Sequence, residues 1–108
     1  MTNKDFNKIV DEQINYCQSL LCKKGVEYDA DSDDRLHSFK VASALLGETP
    51  RQALAGMMAK HTISIYDLIR TGSPDLTIWT EKITDHINYL LLLKAVIMDE
   101  YGGQDDTL

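Results

Sequence analysis

Trp79-Thr80-Glu81-Lys82-Ile83-Thr84-Asp85-His86-Ile87-Asn88-Tyr89-Leu90-Leu91-Leu92-Leu93 is the stretch whose reading decides the fold. It reads as one helix with a polar stripe in its first half and apolar side chains all round its second. Glu81, Asp85 and Asn88 recur at i, i+4 and i+7, share a face, and lead into Leu92. Lys82 and His86 lie on the neighbouring face, near Tyr89. A helix that is apolar on every side is expected to be buried on every side. The carboxylates, amide and imidazole are then expected to point into or along an interior, where an unpaired polar group is costly. Another helix, a metal or a ligand has to pair with them.

Outward from this segment the same periodicity recurs. Phe6, Ile9, Val10, Ile14, Cys17, Leu20 and Leu21 predict a first helix over roughly residues 4–24, ended by Gly25. Residues 26–34 form an expected acidic loop. Ser32 or Asp33 caps a second helix over about 33–46, with Leu36, Phe39, Ala42, Leu45 and Leu46 inward and Gly47 as its stop. Thr49-Pro50 is an N-cap followed by a first-turn proline. The third helix is expected to run to about Thr71, with Ala53, Leu54, Met57, His61, Ile65 and Leu68 or Ile69 on its inner side. Gly56, inside it, costs about 1 kcal/mol relative to alanine, which a close helix or ligand would justify. Gly72-Ser73-Pro74 breaks the chain, and a fourth helix over about 75–101 ends at Gly102-Gly103. No strand-length alternation appears. The expected fold is all-α, a compact four-helix bundle forming a single domain over 1–103, with a frayed acidic tail at 104–108. The last helix carries more apolar surface than three short partners cover, so self-association through it is expected.

The 108 residues carry a net charge of −6 and a pI near 4.8, which argues against general nucleic-acid binding but leaves room for a small anion in a local basic pocket. Cys17 and Cys22, five apart on one helix, are not placed to bridge each other and suit a reducing compartment. No window has the apolar length of a membrane span, and the N-terminus lacks a signal-peptide pattern. The expected setting is the cytoplasm, with no membrane partner.

Three polar clusters offer chemistry. Asp33-Asp34-Arg35-Leu36-His37-Ser38-Phe39-Lys40 combines a helix start with a planar guanidinium and an ammonium, both suited to phosphate; a solvated helix start with local ion pairs is the alternative. In the second, Lys60, Ser64 and Asp67 share a face of the third helix, while His61 lies nearer its apolar side. The third is the stripe of the fourth helix. Glu81 and Asp85 could hold magnesium only with carboxylates from another helix, for which Glu12 and Asp67 are the helical donors. Trp79, Tyr89, Tyr28 and Phe39 can stack on a base or fill a core. There is no Gly-x-Ser-x-Gly, no phosphate-cradling glycine loop and no zinc spacing.

Three ordered motifs carry a resemblance: Asp34-Arg35-Leu36-x-x-Phe39-Lys40, then Ala53-Leu54-x-Gly56-Met57-x-x-Lys60-His61-x-x-Ser64-Ile65-x-Asp67, then Trp79-x-Glu81-Lys82-x-x-Asp85-x-x-Asn88-Tyr89-Leu90. Together, over about residues 24–97, they resemble the nucleotide modification associated domain family of small bacteriophage proteins. More distantly, residues 81–90 look like the last metal-binding helix of MazG-like all-α nucleotide pyrophosphohydrolases. Those enzymes bind magnesium through Glu-x-x-Glu on one helix and Glu-x-x-Asp on another, and cleave between the α- and β-phosphates of nucleoside triphosphates. Asp85 matches the aspartate. Lys82 stands where the glutamate belongs, Glu81 is one position off register, and the earlier Glu-x-x-Glu is absent. A lysine in that slot repels a cation and attracts phosphate.

The resemblance implies a phage-type protein, in the cytoplasm of the infected host, that binds a small nucleotide-type ligand and sequesters a nucleotide-derived host immune signal without hydrolysing it. Arg35, Lys40, Lys60, His61 and Lys82 would neutralise phosphates; Asp85 and Asn88 would read base or ribose edges; Ser64, Trp79 and Tyr89 complete the candidate site. No cofactor is expected. The alternative is a magnesium-dependent pyrophosphohydrolase with the metal on Glu81 and Asp85. The third option is a helical interaction module whose stripe is an interhelical hydrogen-bond network.

Overall fold

The computed structural model describes residues 1–28 and 33–102, with side chains described for 1–23 and 33–102. The described residues form four helices and no strand: α1 (Asn3–Tyr28), α2 (His37–Leu46), α3 (Pro50–Thr71) and α4 (Leu76–Glu100). Ser32 and the expected tail at 104–108 lie outside them.

The helix ends follow local chemistry, with two departures from the periodicity. Gly25 does not end the first helix, which runs on to Tyr28. One glycine costs a helix about 1 kcal/mol. It acts as a stop where the chain takes a positive φ, and that happens at Gly47 (φ 65°), which is left-handed helical, and at Gly72 (φ 73°), which is extended in ψ. The second helix starts at His37 rather than at Asp33, because Asp33 to Leu36 form a turn. Asp34 closes that turn: its carboxylate accepts from the Leu36 amide at 3.0 Å, and its carbonyl accepts from the His37 amide at 3.1 Å. α3 opens with a full capping box, in which Thr49 Oγ1 accepts from the Gln52 amide while Gln52 Oε1 accepts from the Thr49 amide at 2.8 Å. Asp75 caps α4 by accepting from the Thr77 amide at 2.9 Å.

The core is small and lies between α2, α3 and α4. Leu36, Phe39, Leu54 and Val96 form it, with Met57, Met58, Tyr89, Leu92 and Leu93 packed around them. Among the described residues, helix α1 packs against α4 and no other helix. Their shared polar contact is Gln13, whose Nε2 donates to the fully buried Thr84 hydroxyl at 2.7 Å and lies 3.3 Å from Cys17 Sγ. Both cysteines are free, Cys17 buried and Cys22 exposed.

Several residues expected inside are outside. Leu45 and Leu46 are 81% and 70% exposed, because the buried face of α2 runs through Leu36, Phe39 and Ser43 and stops short of its last turn. Phe6, Ile9 and Ile14 stand out on α1, while on α3 Leu68 is the half-buried member of the Leu68 or Ile69 alternative and Ile69 is exposed. The apolar second half of α4 is not covered on all sides: Leu90 and Leu91 are about half exposed. Gly56 faces open space, with nothing within 4 Å of the position a Cβ would take, so no close approach explains it.

Lys40 ties α2 to its neighbours, pairing with Asp34 and, at 3.3 Å, with Asp99 of α4. The bond from Lys40, and then the Leu36 amide, hold the Asp34 carboxyl below the usual carboxylate range. Asp34 reciprocally raises Lys40. A depressed carboxylate stabilises the fold above its unfolded pKa, and that contribution is lost as pH falls through its folded value. Asp34→Asn is therefore expected to melt below wild type at neutral pH, with the gap closing below about pH 4. Melting curves across that range check it; a gap that persists at low pH refutes the assignment.

Candidate functional site

One cavity of about 350 Å³ opens off the core, and all four helices or their approaches reach it. Helix α4 supplies Asp85, Asn88, Tyr89 and Leu92, four residues within two turns. Helix α3 supplies Met57 and His61, one turn apart. The turn before α2 supplies Arg35, α2 itself Ser38 and Phe39, and α1 Leu21. The floor is apolar and aromatic, the wall polar. That is the usual make-up of a small-molecule site, and the volume is at the small end for one.

The wall is partly organised. His61 Nδ1 lies 3.7 Å from an Asp85 carboxylate oxygen, and the His61 and Tyr89 rings stack tilted by 32° with centroids 4.7 Å apart. A guanidinium nitrogen of Arg35 donates to the Leu21 carbonyl at 3.3 Å, which ties the α2 approach to α1. Asn88 differs. It is only 8% exposed, and its Oδ1 is buried with no hydrogen-bond partner among the described residues. An orphaned buried acceptor costs about 1–3 kcal/mol, so a small protein rarely keeps one without a use.

The structure brings together half of the residues singled out in the sequence. Arg35, His61, Asp85, Asn88 and Tyr89 line the cavity. Lys40 does not: it sits by a separate, mostly apolar depression with Leu36, Pro50, Arg51, Val96, Asp99 and Glu100. Lys60 projects from the exposed face of α3, and Ser64 and Lys82 are half-buried outside the lining. The Trp79 indole donates to the Ser73 carbonyl at 2.8 Å and so anchors the α3–α4 turn. His86 Nε2 is 3.1 Å from the Thr62 hydroxyl, a bridge between α3 and α4. The side chain of Tyr28 lies outside the described residues.

Periodicity gave no reason to separate Ser38 from its exposed neighbours. Leu21, Met57, Phe39 and Leu92 read as core; Phe39, Met57 and Leu92 are both core and cavity lining, because the cavity is a gap in the core's edge, while Leu21 lines it from α1.

The two carboxylates of the proposed metal pair face different places. Asp85 is in the cavity; Glu81 is exposed, beside Tyr16, Leu76, Thr77 and Thr80. The helical carboxylates that could have joined them are turned to solvent in ion pairs, Glu12 with Lys8 at 3.9 Å and Asp67 with Arg70 at 3.2 Å. Among the described residues no three His, Cys, Asp or Glu side chains cluster as a metal centre would require. No described helix is long and apolar enough to cross a membrane. The chain matches no known family model, and no curated protein or solved structure is significantly similar to it.

Proposed function

We propose that this protein binds a small nucleotide-type ligand in the cavity between α2, α3 and α4 and releases it chemically unchanged. The observation that carries this is Asn88: a buried amide with an unpaired oxygen, in the wall of a cavity that also holds a guanidinium and two aromatic rings. Arg35 supplies the planar fork that suits phosphate, and Tyr89 and Phe39 supply faces on which a base stacks. The separation of Glu81 from Asp85 favours binding over the magnesium-dependent hydrolysis of MazG-like enzymes. The resemblance of the three motifs to the phage nucleotide modification associated domain family supports a role in sequestering a nucleotide-derived host immune signal, in the cytoplasm of the infected cell.

Thermal melting with nucleoside mono-, di- and triphosphates tests this, since a ligand that binds only the folded chain must raise the melting temperature, by about 2.7 kcal/mol of stability at a hundred times its Kd. The ligand recovered from denatured protein should have an unaltered mass. Release of pyrophosphate, lost in Asp85→Ala, would replace binding by hydrolysis. No shift with any nucleotide would leave a helical interaction module.

We also propose that two or more copies associate. Phe6, Ile9 and Ile14 of α1 and Leu90 and Leu91 of α4 are the apolar side chains that a second copy would cover. Sedimentation at micromolar concentration should show an oligomer that Ile9→Glu together with Leu90→Glu dissociates; a monomer throughout refutes it.

A further inference from the structure

Asn88 has a property that the rest of the wall lacks. His61 is held by Asp85 and Tyr89, and Arg35 by the Leu21 carbonyl, so their orientations are set before anything enters. The Asn88 oxygen has no such bond. The last torsion of an asparagine is broad and roughly two-fold, so the amide turns about it easily. As the amide stands, no donor of the described residues satisfies that enclosed oxygen, and the amide has to turn to present it to the cavity. A ligand edge placed against the turned amide satisfies it, provided it brings an N–H for Oδ1. A neighbouring lone pair on the ligand then takes the amide's own N–H. An amide meets such a donor–acceptor edge with two parallel hydrogen bonds, the pairing that asparagine makes with adenine. Asp85, three residues earlier on the same wall, adds an acceptor for a second amino hydrogen. Phe39 and Tyr89 give a flat heterocycle its stacking surface.

We infer that the cavity selects a nucleobase whose Watson–Crick edge carries an amino group beside an unprotonated ring nitrogen, as that of adenine or cytosine does and that of guanine or uracil does not, and that the Asn88 amide reads that edge. This rests on the binding role proposed above and names the part of the ligand that Asn88 recognises.

The test compares AMP with purine riboside 5′-monophosphate, which is AMP without its amino group, by calorimetry on the full chain. CMP, GMP and UMP complete the set. AMP should bind at least tenfold more tightly than the purine riboside monophosphate, and CMP more tightly than UMP. Asn88→Leu should bring AMP down to the level of the purine riboside monophosphate, and Asn88→Ser should do the same if the leucine variant misfolds. Equal binding of AMP and the deaminated analogue by the wild-type chain overturns the edge-reading and leaves nucleotide binding intact. Tighter binding of GMP or UMP than of AMP and CMP overturns it as well. Binding of none of the five overturns both.

Discussion

Asn88→Leu should melt higher than the wild-type chain while its response to AMP falls to that of the analogue lacking the amino group. Leucine has nearly the branched shape of asparagine and no polar atom. The position is 8% exposed, it adjoins Leu92 and Tyr89 at the cavity, and its oxygen has no partner among the described residues. Removing an unsatisfied buried acceptor recovers about 1–3 kcal/mol. For a domain of this size each kcal/mol moves the melting temperature by roughly 4–8 °C. The two readouts together distinguish a functional amide from a structural one. An asparagine that held helices together through its side chain would destabilise the fold when replaced. A lower melting temperature for Asn88→Leu would therefore show that Oδ1 has a structural role, and the ligand argument would lose its carrier. This is the trade-off expected where a site keeps a polar group that stability alone would discard.

Leu54→Ala should cost about 2–5 kcal/mol, the largest loss expected from any single truncation here. Leu54 is fully buried at the centre of the cluster formed with Leu36, Phe39 and Val96. The core is small, and small domains keep only about 5–15 kcal/mol in total. The variant should accordingly melt at least about 10 °C lower, and equilibrium urea unfolding measures the loss directly. Leu45→Ala is the control. Leu45 belongs to the same apolar pattern of α2 but is 81% exposed, so its truncation should change monomer stability by no more than about 0.5 kcal/mol. Equal losses at both positions would overturn the assignment of Leu45 to the exposed end of α2. A larger loss at Leu45 that grows with protein concentration would place α2 in the interface between copies.

The contrast between Leu54 and Leu45 marks what periodicity can carry. A 3.6-residue repeat identifies which side chains share a face of one helix. It holds no information on how far along that face a neighbour extends. Leu36, Phe39, Leu45 and Leu46 all fit an inward stripe, yet the described contacts cover only the first part of it. The polar stripe of α4 behaves the same way. Glu81 and Asp85 are one turn apart on one face, but Asp85 looks into a cavity and Glu81 to solvent. Lys40 reads as a phosphate ligand from its place near Arg35, and its actual carboxylate partners are Asp34 and Asp99, the latter 59 residues away in the chain.

The sequence by itself determined the four helices and their glycine and proline punctuation at Gly47, Pro50 and Gly72, and it singled out Arg35, His61, Asp85, Asn88 and Tyr89, which line one cavity in the fold. Those follow from propensity, capping and side-chain spacing, which act over a few residues. Tertiary structure alone decided that α1 lies against α4 with much of its apolar face uncovered, and that one asparagine is enclosed without a partner. Enclosure depends on which helices meet and at what depth. That is set by the packing of residues far apart in the chain, such as Gln13 with Thr84 and His61 with Asp85, and no local pattern encodes it.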